Sequence, residues 1–364
     1  NIILYLYNNI MTKEFQIIDF CEDHEIEDDE DDEGNCEAIE KYIIHIFGRT
    51  LEGQSVYLKV QDFHPYFYVK LPRVIKNQEG KSFIKKMSSF LREEKRIWYK
   101  YRGGLLKVLL KEEIDADGFT NNKKSLFAKL VFNSLKAMRQ FKMFFEKNLI
   151  KIPNTTNKEF YYKTYEANLP PMLRFCHLRK IPGCSWVSIK KYREIKESSK
   201  DSRCDIELNC NWKNVDPIKK DVNAPIRIMS FDLECYSEDG SFPLAKRDSD
   251  KIIQIGSTYT YLGQSTPYRQ HIVCLKDTDD VVDTITESYN TEEKLLRGWI
   301  EEFKKSDCDI LTGYNTFFFD EKYLYERCRK VGLEENIMKI SKLKRYKCNF
   351  RDFKLASSAM GENR

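Results

Sequence analysis

The stretch IRIMSFDLEC, residues 226–235, has the composition of a buried β-strand and carries two acidic residues near its end. Side chains alternate between the two faces of a strand, so Asp232 and Glu234 point to the same face, opposite to their apolar neighbours. Two carboxylates side by side on a mostly buried strand are costly unless a cation or a shared proton compensates, and hard oxygen ligands favour Mg²⁺ or Mn²⁺. The pattern leaves two interpretations open: a metal site, or a strand edge whose acids face water.

The segments after this strand predict a small α/β domain. The predicted elements are strands at 251–262, 269–275 and 309–312, a helix beginning near Asn290, and a helix at about 321–331. Asn290 would cap the first helix, with Glu293 completing a variant of the capping box, and Gly332 would end the second helix. Three antiparallel strands followed by helix, strand and helix is the order of a ribonuclease-H-like domain.

A second candidate segment, GYNTFFFDEKYL at 313–324, places Asp320 at the start of the last helix. One interpretation is structural: Asp is a common N-cap, and three consecutive phenylalanines are core. The other is a nucleic-acid loop, because aromatic rings offer stacking faces to bases and the Asn315 amide can bond a base or sugar edge. If Asp320 converges with Asp232 and Glu234, the three acids can hold two divalent ions that activate a water for phosphodiester hydrolysis.

The rest of the chain predicts a β-rich domain behind an acidic tail. Residues 1–36 are expected to be disordered because like charges repel, residues 37–221 to form the β-rich domain, and residues 222–364 to form the domain described above. The elements predicted upstream are a hairpin at Tyr42–Val60, a strand at His64–Leu71, a helix at Leu126–Lys147 capped by Ser125, and a linker at Asp201–Asn223. The predicted fold class is therefore α/β, of the mixed α+β kind.

Composition points to a basic intracellular protein. The net charge is +4, but residues 22–33 hold ten acidic groups and no Lys or Arg, so the remainder carries +14. A basic body is compatible with a phosphate-backbone partner. The cysteines are scattered without a C-x-x-C pair, which favours reduced thiols over a zinc site or a disulfide framework. No apolar run approaches the roughly 20 residues of a membrane span, so no membrane partner is expected.

Several blocks resemble family B DNA polymerases. FDLEC around Asp232 is similar to their first exonuclease motif, with its D-x-E core, and GYNTFFFD is similar to their second, N-x-x-x-F-D. The further blocks that resemble the polymerase delta branch are IHIFGRTLEGQSVYLKVQDFHPYFYVKLP, TYEANLPPMLRF, IPGCSWV and SFPLAKRDSDKIIQIG. The similarity runs from about Tyr42 to the last residue, and a composition rich in Lys, Ile, Asn and Tyr suits an AT-rich genome such as that of a large DNA virus.

The resemblance implies an N-terminal domain followed by an incomplete ribonuclease-H-like 3′→5′ proofreading exonuclease that uses two Mg²⁺ or Mn²⁺ ions. It implies that Asp232, Glu234 and Asp320 are metal ligands, with Glu234 also positioning the attacking water. Asn315 and Phe319 would contact the 3′ end of the primer. The implied partners are a primer-template and its single-stranded 3′ end, the remaining polymerase domains in cis or in trans, and a sliding clamp. The implied location is the nucleus or a viral replication compartment.

Two departures from the family pattern bear on activity. The third exonuclease motif, Tyr-x-x-x-Asp, is expected beyond SSAMGENR at 357–364, and no D-T-D triplet of a polymerase palm is present. We therefore expect an N-terminal fragment of a replicative DNA polymerase that is inactive alone. The alternatives are a non-catalytic nucleic-acid-binding half or remnant, a free-standing nuclease, and a structural core with incidental acids.

Overall fold

The computed structural model describes residues 12–30, 36–118, 121–153, 155, 158–351, 355–357 and 361–363. The chain divides into two compact units. Unit 1 comprises the described residues up to Phe47 together with Leu58–Arg193 and Leu208–Lys219, and unit 2 comprises Gly48–Tyr57, Glu194–Glu207 and the described residues from Lys220 onward. The last change from unit 1 to unit 2, at Lys219 and Lys220, lies close to the predicted boundary between residues 37–221 and 222–364. The predicted domain division itself stays a prediction.

The strands within the described residues are β1 Lys13–Glu30, β2 Cys36–Arg49, β3 Ser55–Gln61, β4 Tyr66–Lys70, β5 Leu105–Ile114, β6 Lys124–Phe132, β7 Thr164–Tyr165, β8 Trp186–Ile189, β9 Tyr192–Glu194, β10 Ile206–Asn211, β11 Val215–Ile218, β12 Arg227–Cys235, β13 Ile252–Tyr261, β14 Arg269–Leu275, β15 Ile285–Tyr289, β16 Ile310–Thr312, β17 Leu355–Ser357 and β18 Gly361–Asn363. The α-helices are α1 Asn77–Glu93, α2 Tyr99–Arg102, α3 Leu135–Lys147, α4 Pro171–Arg179, α5 Glu292–Ser306, α6 Asp320–Lys330 and α7 Glu334–Met338. No helix among the described residues has the length and apolar character needed to cross a membrane.

Most residues of a seven-stranded sheet, in the order β11-β8-β1-β2-β3-β10-β9, belong to unit 1. The predicted hairpin of β2 and β3 is confirmed by this order. The prediction that residues 1–36 are a disordered tail is wrong for β1, which pairs antiparallel with β8 and buries Phe15 and Ile17 completely. Its acidic half finds partners: the Tyr42 hydroxyl donates to Glu22 at 2.6 Å, and Lys59 pairs with Glu25. Residues 1–11 and 31–35 lie outside the described part.

Unit 1 also contains a four-stranded antiparallel sheet in the order β5-β6-β4-β7. The chain order is βαββαβ, with the short α2 before β5. Helix α3 packs on one face of this sheet, where Phe67 stacks on Phe132 at 5.4 Å and contacts Phe145 at 6.2 Å, edge to face. The predicted strand at His64–Leu71 is confirmed as β4.

Two upstream predictions are wrong. The predicted helix at Leu126–Lys147 is half strand: β6 ends at Phe132, and α3 begins after Ser134, whose side chain accepts the Ala137 N–H. The cap is thus Ser134, not Ser125, because residues 124–132 pair with strands on both sides. The predicted linker at Asp201–Asn223 contains strands β10 and β11. In β10, every second residue is apolar, and these residues, Ile206, Leu208 and Cys210, are buried in the core.

Unit 2 is built on a five-stranded sheet in the order β15-β14-β13-β12-β16. Strands β12, β13 and β14 are antiparallel, and β16 runs parallel to β12, so the predicted order of three strands, helix, strand and helix is confirmed. The sequence missed β15, which pairs parallel to β14. Helix α5 begins one residue later than predicted, with Thr291 rather than Asn290 as its cap, and Gly332 adopts a positive φ of 81° after α6.

The core of unit 2 lies between this sheet and helices α5 and α6. Trp299 of α5 contacts Phe231 of β12 at 5.4 Å and donates its indole N–H to Ser257 of β13 at 3.2 Å. The other buried members are Met229, Leu233, Ala245, Ile252, Ile255, Tyr259, Val273, Leu295, Leu296, Ile300, Cys308, Tyr323, Leu324, Cys328, Leu333 and Ile337. This packing fixes which face of β12 is buried, and therefore which face carries its two acids.

Candidate active site

Strand β12 presents its two acids on the face turned away from the core. Phe231 and Leu233 are buried, whereas Asp232 and Glu234 are exposed, as strand alternation predicts. Gly256 of β13 lies directly across from Asp232, so the neighbouring strand adds no side chain over this carboxylate. The strand is not an edge strand over its first half, since β16 pairs with residues 228–230.

Beyond Ser230 the loop that follows β16 takes the place of a neighbouring strand. Gly313 runs so close to β12 that a Cβ atom there would come 2.5 Å from the Phe231 carbonyl oxygen. Asn315 follows in the left-handed region with φ 58°, which Asn tolerates better than most residues, and its carbonyl accepts the Phe318 N–H at 3.2 Å. The loop is thus a tight turn held against the strand that carries the acids.

The loop turns its aromatic side chains outward. Tyr314 is 93% exposed, Phe317 68% and Phe318 52%, so the interpretation of the phenylalanines as core is wrong for Phe317 and Phe318. Phe319 is half-buried and packs against Tyr323 of α6 at 5.2 Å. Exposed rings beside a pair of acids are a surface on which bases can stack.

Asp320 is the first residue of α6, and its side chain does not cap the helix. The cap position is Phe319, without a side-chain hydrogen bond, so the N-cap interpretation of Asp320 is wrong. Its Oδ1 instead accepts the Leu233 N–H at 3.3 Å, on the stretch of β12 that β16 no longer covers. Burial raises the pKa of the Asp320 carboxyl; the Leu233 hydrogen bond opposes this rise and the charge of Asp232 adds to it. The acids of the two motifs therefore lie close enough to repel each other.

The donor chemistry of this face fits a hard divalent cation. Carboxylate oxygens are the ligands that Mg²⁺ and Mn²⁺ prefer, and a cation would relieve the repulsion between Asp232 and Asp320. Across the described ranges, however, no three His, Cys, Asp or Glu side chains are gathered closely enough to hold a metal ion. The chain brings Asp320 to Asp232 but does not assemble Glu234 with them into a closed ligand set.

The sequence missed the loop between β12 and β13, residues 236–251, as part of this region. Phe242 of that loop is 70% exposed and contacts the Phe319 ring edge to face at 5.2 Å. The loop is tied to α6, because Tyr323 donates its hydroxyl to the Asp250 carbonyl at 3.1 Å and Arg327 donates to the Ala245 and Arg247 carbonyls at 3.0 and 2.7 Å. Little in the sequence indicates this contact, since an Arg on a helix is ordinarily exposed to solvent.

Comparison with known proteins identifies the family of this chain. The family model for the exonuclease domain of family B DNA polymerases matches residues 162–363, more than half of the chain. The chain belongs to the family B DNA polymerases. The resemblance drawn from the motifs is thereby confirmed.

The relatives are viral and delta-type polymerases. The chain is 36% identical to a DNA polymerase of Acanthamoeba polyphaga mimivirus over 327 residues, which cover 88% of this chain and 18% of that protein. It is 29% identical to the DNA polymerase delta catalytic subunit of Dictyostelium discoideum, over 87% of this chain and 29% of that protein. The chain thus spans less than a third of the length of these relatives.

A solved structure agrees at the level of the fold. The family B DNA polymerase of the archaeon Pyrobaculum calidifontis matches with a TM-score of 0.53 at 20% identity, over 88% of this chain and 33% of that one. At this identity the likeness supports the architecture of the two units and says nothing about individual side chains.

Proposed function

We propose that unit 2 is the 3′→5′ proofreading exonuclease of a replicative DNA polymerase and hydrolyses the terminal phosphodiester of a primer. The observation that carries the proposal is the bond from the Leu233 N–H to Asp320, which sets the acid of the second motif beside Asp232 of the first. Acids from two separate segments that meet at one strand can hold the ions that assist phosphodiester hydrolysis.

Asp232, Glu234 and Asp320 would hold divalent Mg²⁺ or Mn²⁺, two ions in the full set, which supply an activated water and stabilise the leaving oxygen. Asn315 projects from a turn fixed against β12 and would bond the terminal nucleotide. Phe319 is held between Phe242 and Tyr323, so its position is set before DNA arrives. That rigidity supports a role in orienting the 3′ end.

The proposed partners are a primer-template, the single-stranded 3′ end that enters the exonuclease, the remaining polymerase domains, and a sliding clamp. The proposed location is intracellular, in the nucleus or in a viral replication compartment. Both proposals rest on the delta-type and viral relatives, of which this chain spans only part.

The test of the exonuclease site is a double substitution in the complete polymerase. Asp232→Ala with Glu234→Ala is expected to abolish trimming of a mismatched primer while primer extension continues, because the acids serve only hydrolysis. The matched control is Asp279→Ala with Asp280→Ala, two exposed acids on the loop before β15 that should leave trimming unchanged. Retained trimming by the first pair would refute the metal assignment.

A second candidate function concerns these 364 residues when they are isolated from the rest of a polymerase. In that form they would be a non-catalytic nucleic-acid-binding half or remnant. The observation behind it is that Asp232, Glu234 and Asp320 do not form a closed ligand set. The isolated chain is then expected to bind single-stranded DNA with Mg²⁺ present but to release little or no nucleotide. Rapid degradation of a mismatched primer, lost in the Asp232→Ala and Glu234→Ala variant, would reject this candidate and favour a self-sufficient nuclease.

A further inference from the structure

The guanidinium of Arg49 is completely buried in unit 2, at the connection between α5 and β16. Its Nε donates to Asp309 Oδ2 at 2.6 Å and its Nη2 donates to Asp309 Oδ1 at 2.9 Å, which is the two-point contact that a guanidinium makes with a carboxylate. Nη2 also donates to the Asp307 carbonyl at 2.7 Å, and Nη1 donates to the Gly53 carbonyl at 2.7 Å. One side chain therefore holds both ends of the connection formed by residues 307–309.

Asp309 joins the start of β16 to the start of β12. Its N–H donates to the Arg227 carbonyl at 2.8 Å, and its Oδ2 accepts the Arg227 N–H at 2.9 Å. Lys342 Nζ donates to the other carboxylate oxygen at 2.9 Å. Burial alone would raise the pKa of the Asp309 carboxyl, but the Arg49 hydrogen bond and the charges of Lys342 and Arg49 lower it. The carboxylate is therefore ionised, and its orientation is set by its cationic partners.

Strand β16 buries little side-chain surface that could set its register. It consists of three residues and pairs with β12, and Ile310 and Thr312 are exposed while Leu311 is half-buried. Register is weakly specified in a strand that does not bury one full face. The two hydrogen bonds between Asp309 and Arg227 therefore supply register information that the side chains of β16 do not.

The register of β16 decides where the following loop meets β12. Gly313 comes directly after β16, at the place where an added Cβ would lie 2.5 Å from the Phe231 carbonyl oxygen. A slip of one residue, about 3.3 Å along the strand, would put a residue with a side chain at that place. The loop would then have to move away from β12, and with it Asp320, which accepts the Leu233 N–H.

We infer that Arg49 is a positioning residue for the exonuclease reaction. It orients Asp309, and Asp309 sets the register of β16 that brings Asp320 to β12. The inference rests on the function proposed above for unit 2. Arg49 acts only through Asp309 and β16, so it is not a catalytic residue.

The alternative is that Arg49 contributes only stability, as one charge among several around the two aspartates. The two interpretations differ in what they predict for Arg49→Lys. A Lys ammonium keeps the charge but is a compact point charge, and it cannot reproduce the two-point contact with Asp309 together with the bond to the Asp307 carbonyl. A role limited to charge predicts that Lys is nearly neutral, whereas a positioning role predicts slower hydrolysis.

The experiment compares Arg49→Lys with the wild type in the complete polymerase. The measured quantities are the rate constant for removal of a mismatched terminal nucleotide at saturating primer, the Kd of the primer, and the rate of extension. We expect the removal rate constant to fall by about 10- to 100-fold, because a small misplacement of a reacting group has effects of this order. The Kd and the extension rate should stay within about twofold of the wild type, since neither depends on where Asp320 lies.

A second variant and a matched control separate position from stability. Arg49→Met with Asp309→Asn removes the buried charge on both sides, so that no unpaired carboxylate is left at position 309. It should slow removal as Arg49→Lys does. The control is Arg269→Met, which removes the 2.7 Å ion pair between Arg269 of β14 and Glu302 of α5. The control should lower the urea midpoint without changing the removal rate constant.

Hydrogen exchange in EDTA, detected by mass spectrometry, reports the position of Asp320 without catalysis. Peptides that cover residues 230–235 contain the Leu233 amide, which Asp320 protects. Exchange in these peptides should be faster in Arg49→Lys and in the double variant, and unchanged in Arg269→Met.

The inference is wrong if Arg49→Lys and the double variant both remove the nucleotide at the wild-type rate, or if exchange of residues 230–235 is unchanged in both. It is also wrong if Arg269→Met, at an equal loss of stability, slows removal as much as they do. The Asp232→Ala and Glu234→Ala variant distinguishes this inference from the proposed function. Removal that persists in that variant refutes the exonuclease site, whereas the exchange measurement still decides whether Arg49 positions Asp320.

Discussion

Gly313 lies where the loop after β16 passes nearest to the backbone of β12. An added Cβ would come 2.5 Å from the Phe231 carbonyl oxygen and would also clash with the Thr316 methyl group. The φ of this residue is not in the left-handed region, so close approach and not backbone conformation requires glycine here. The approach matters because Asn315 and Phe319 follow on the same loop, and Asp320 begins α6 directly after it.

Gly313→Ala is expected to push the loop away from β12 and lengthen the bond between the Leu233 N–H and Asp320. Overpacking of this kind costs about 1–3 kcal/mol of stability. In the complete polymerase we expect a larger loss in trimming than in extension, measured as the ratio of the two rates on a mismatched primer.

Gly103→Ala is the control for this prediction. A Cβ at Gly103 meets nothing within 4 Å, and its φ is −60°, so Ala fits there without strain. If Gly313→Ala leaves the trimming ratio at the value of the Gly103 variant, the loop is not held by this contact.

At the scale of single elements, the residues from Leu126 to Lys147, which the spacing of apolar residues predicts to be one helix, are divided between strand β6 and helix α3. The hydrophobic stripe at three-to-four-residue spacing is real from Leu135 onward, where Met138, Phe141 and Phe145 are buried. Before it, residues 124–132 pair with β4 on one side and β5 on the other. Long-range pairing therefore decides the conformation of residues that helical spacing alone would assign to α3.

Ser134→Ala is expected to destabilise unit 1 by about 1 kcal/mol, because the hydroxyl satisfies the Ala137 N–H at the start of α3. Ser125→Ala should change stability by less than about 0.5 kcal/mol, since Ser125 sits in a strand without a capping role. Urea unfolding of both variants distinguishes the two assignments, and equal losses would contradict the helix start at Leu135.

Helix α6 is joined to the rest of unit 2 by a buried ion pair. The Arg327 guanidinium is 2% exposed and donates to Glu292 at the start of α5, which also accepts the Ile252 N–H at 3.0 Å. With its two bonds to the 236–251 loop, this Arg connects α5, α6, β13 and the segment that carries Phe242. A buried pair of this kind sets geometry more reliably than it adds net stability.

Arg327→Met should cost about 3–5 kcal/mol, because it leaves the Glu292 charge buried and unpaired. Adding Glu292→Gln should recover part of that loss by removing the charge. The exposed Arg329 on the same helix is the control, and Arg329→Met should stay within about 0.5 kcal/mol of wild type. Limited proteolysis should show new cleavage within residues 236–251 only for the Arg327 variant; an unchanged digest would mean that the loop is held by other contacts.

At the scale of the whole molecule, the acidic segment is part of a sheet. Strand β1 buries Phe15 and Ile17 completely and adds hydrogen bonds to β8, and the Leu135 N–H donates to His24 at 3.1 Å. The sequence did not predict this strand, because acidic residues outnumber apolar residues within Lys13–Glu30. Burial of Phe15 and Ile17 and pairing with β8 both favour an ordered strand here.

Phe15→Ala is expected to destabilise unit 1 by about 3–5 kcal/mol through loss of buried surface and the cavity left behind. Ile26→Ala, at a side chain that is 72% exposed, should have an effect near zero. Hydrogen exchange of the β8 amides is the appropriate measurement, because two compact units need not unfold together. Protection of β8 that survives Phe15→Ala unchanged would show that β1 does not stabilise the sheet.

The sequence by itself determined the elements whose pattern is local. Strand alternation placed Asp232 and Glu234 on one face of β12. Residue spacing and turn residues indicated the order of the strands and helices in unit 2 apart from β15. These properties depend on neighbouring residues only, so they are readable without knowing what packs against them.

Only the tertiary structure decided which distant segments meet. It set Asp320 against the Leu233 N–H and turned β1, β6 and β10 into sheet members. The physical reason is that strand pairing and buried hydrogen bonds join residues far apart in the chain. Their free energy overrides weak local preferences, and no local pattern records the partner.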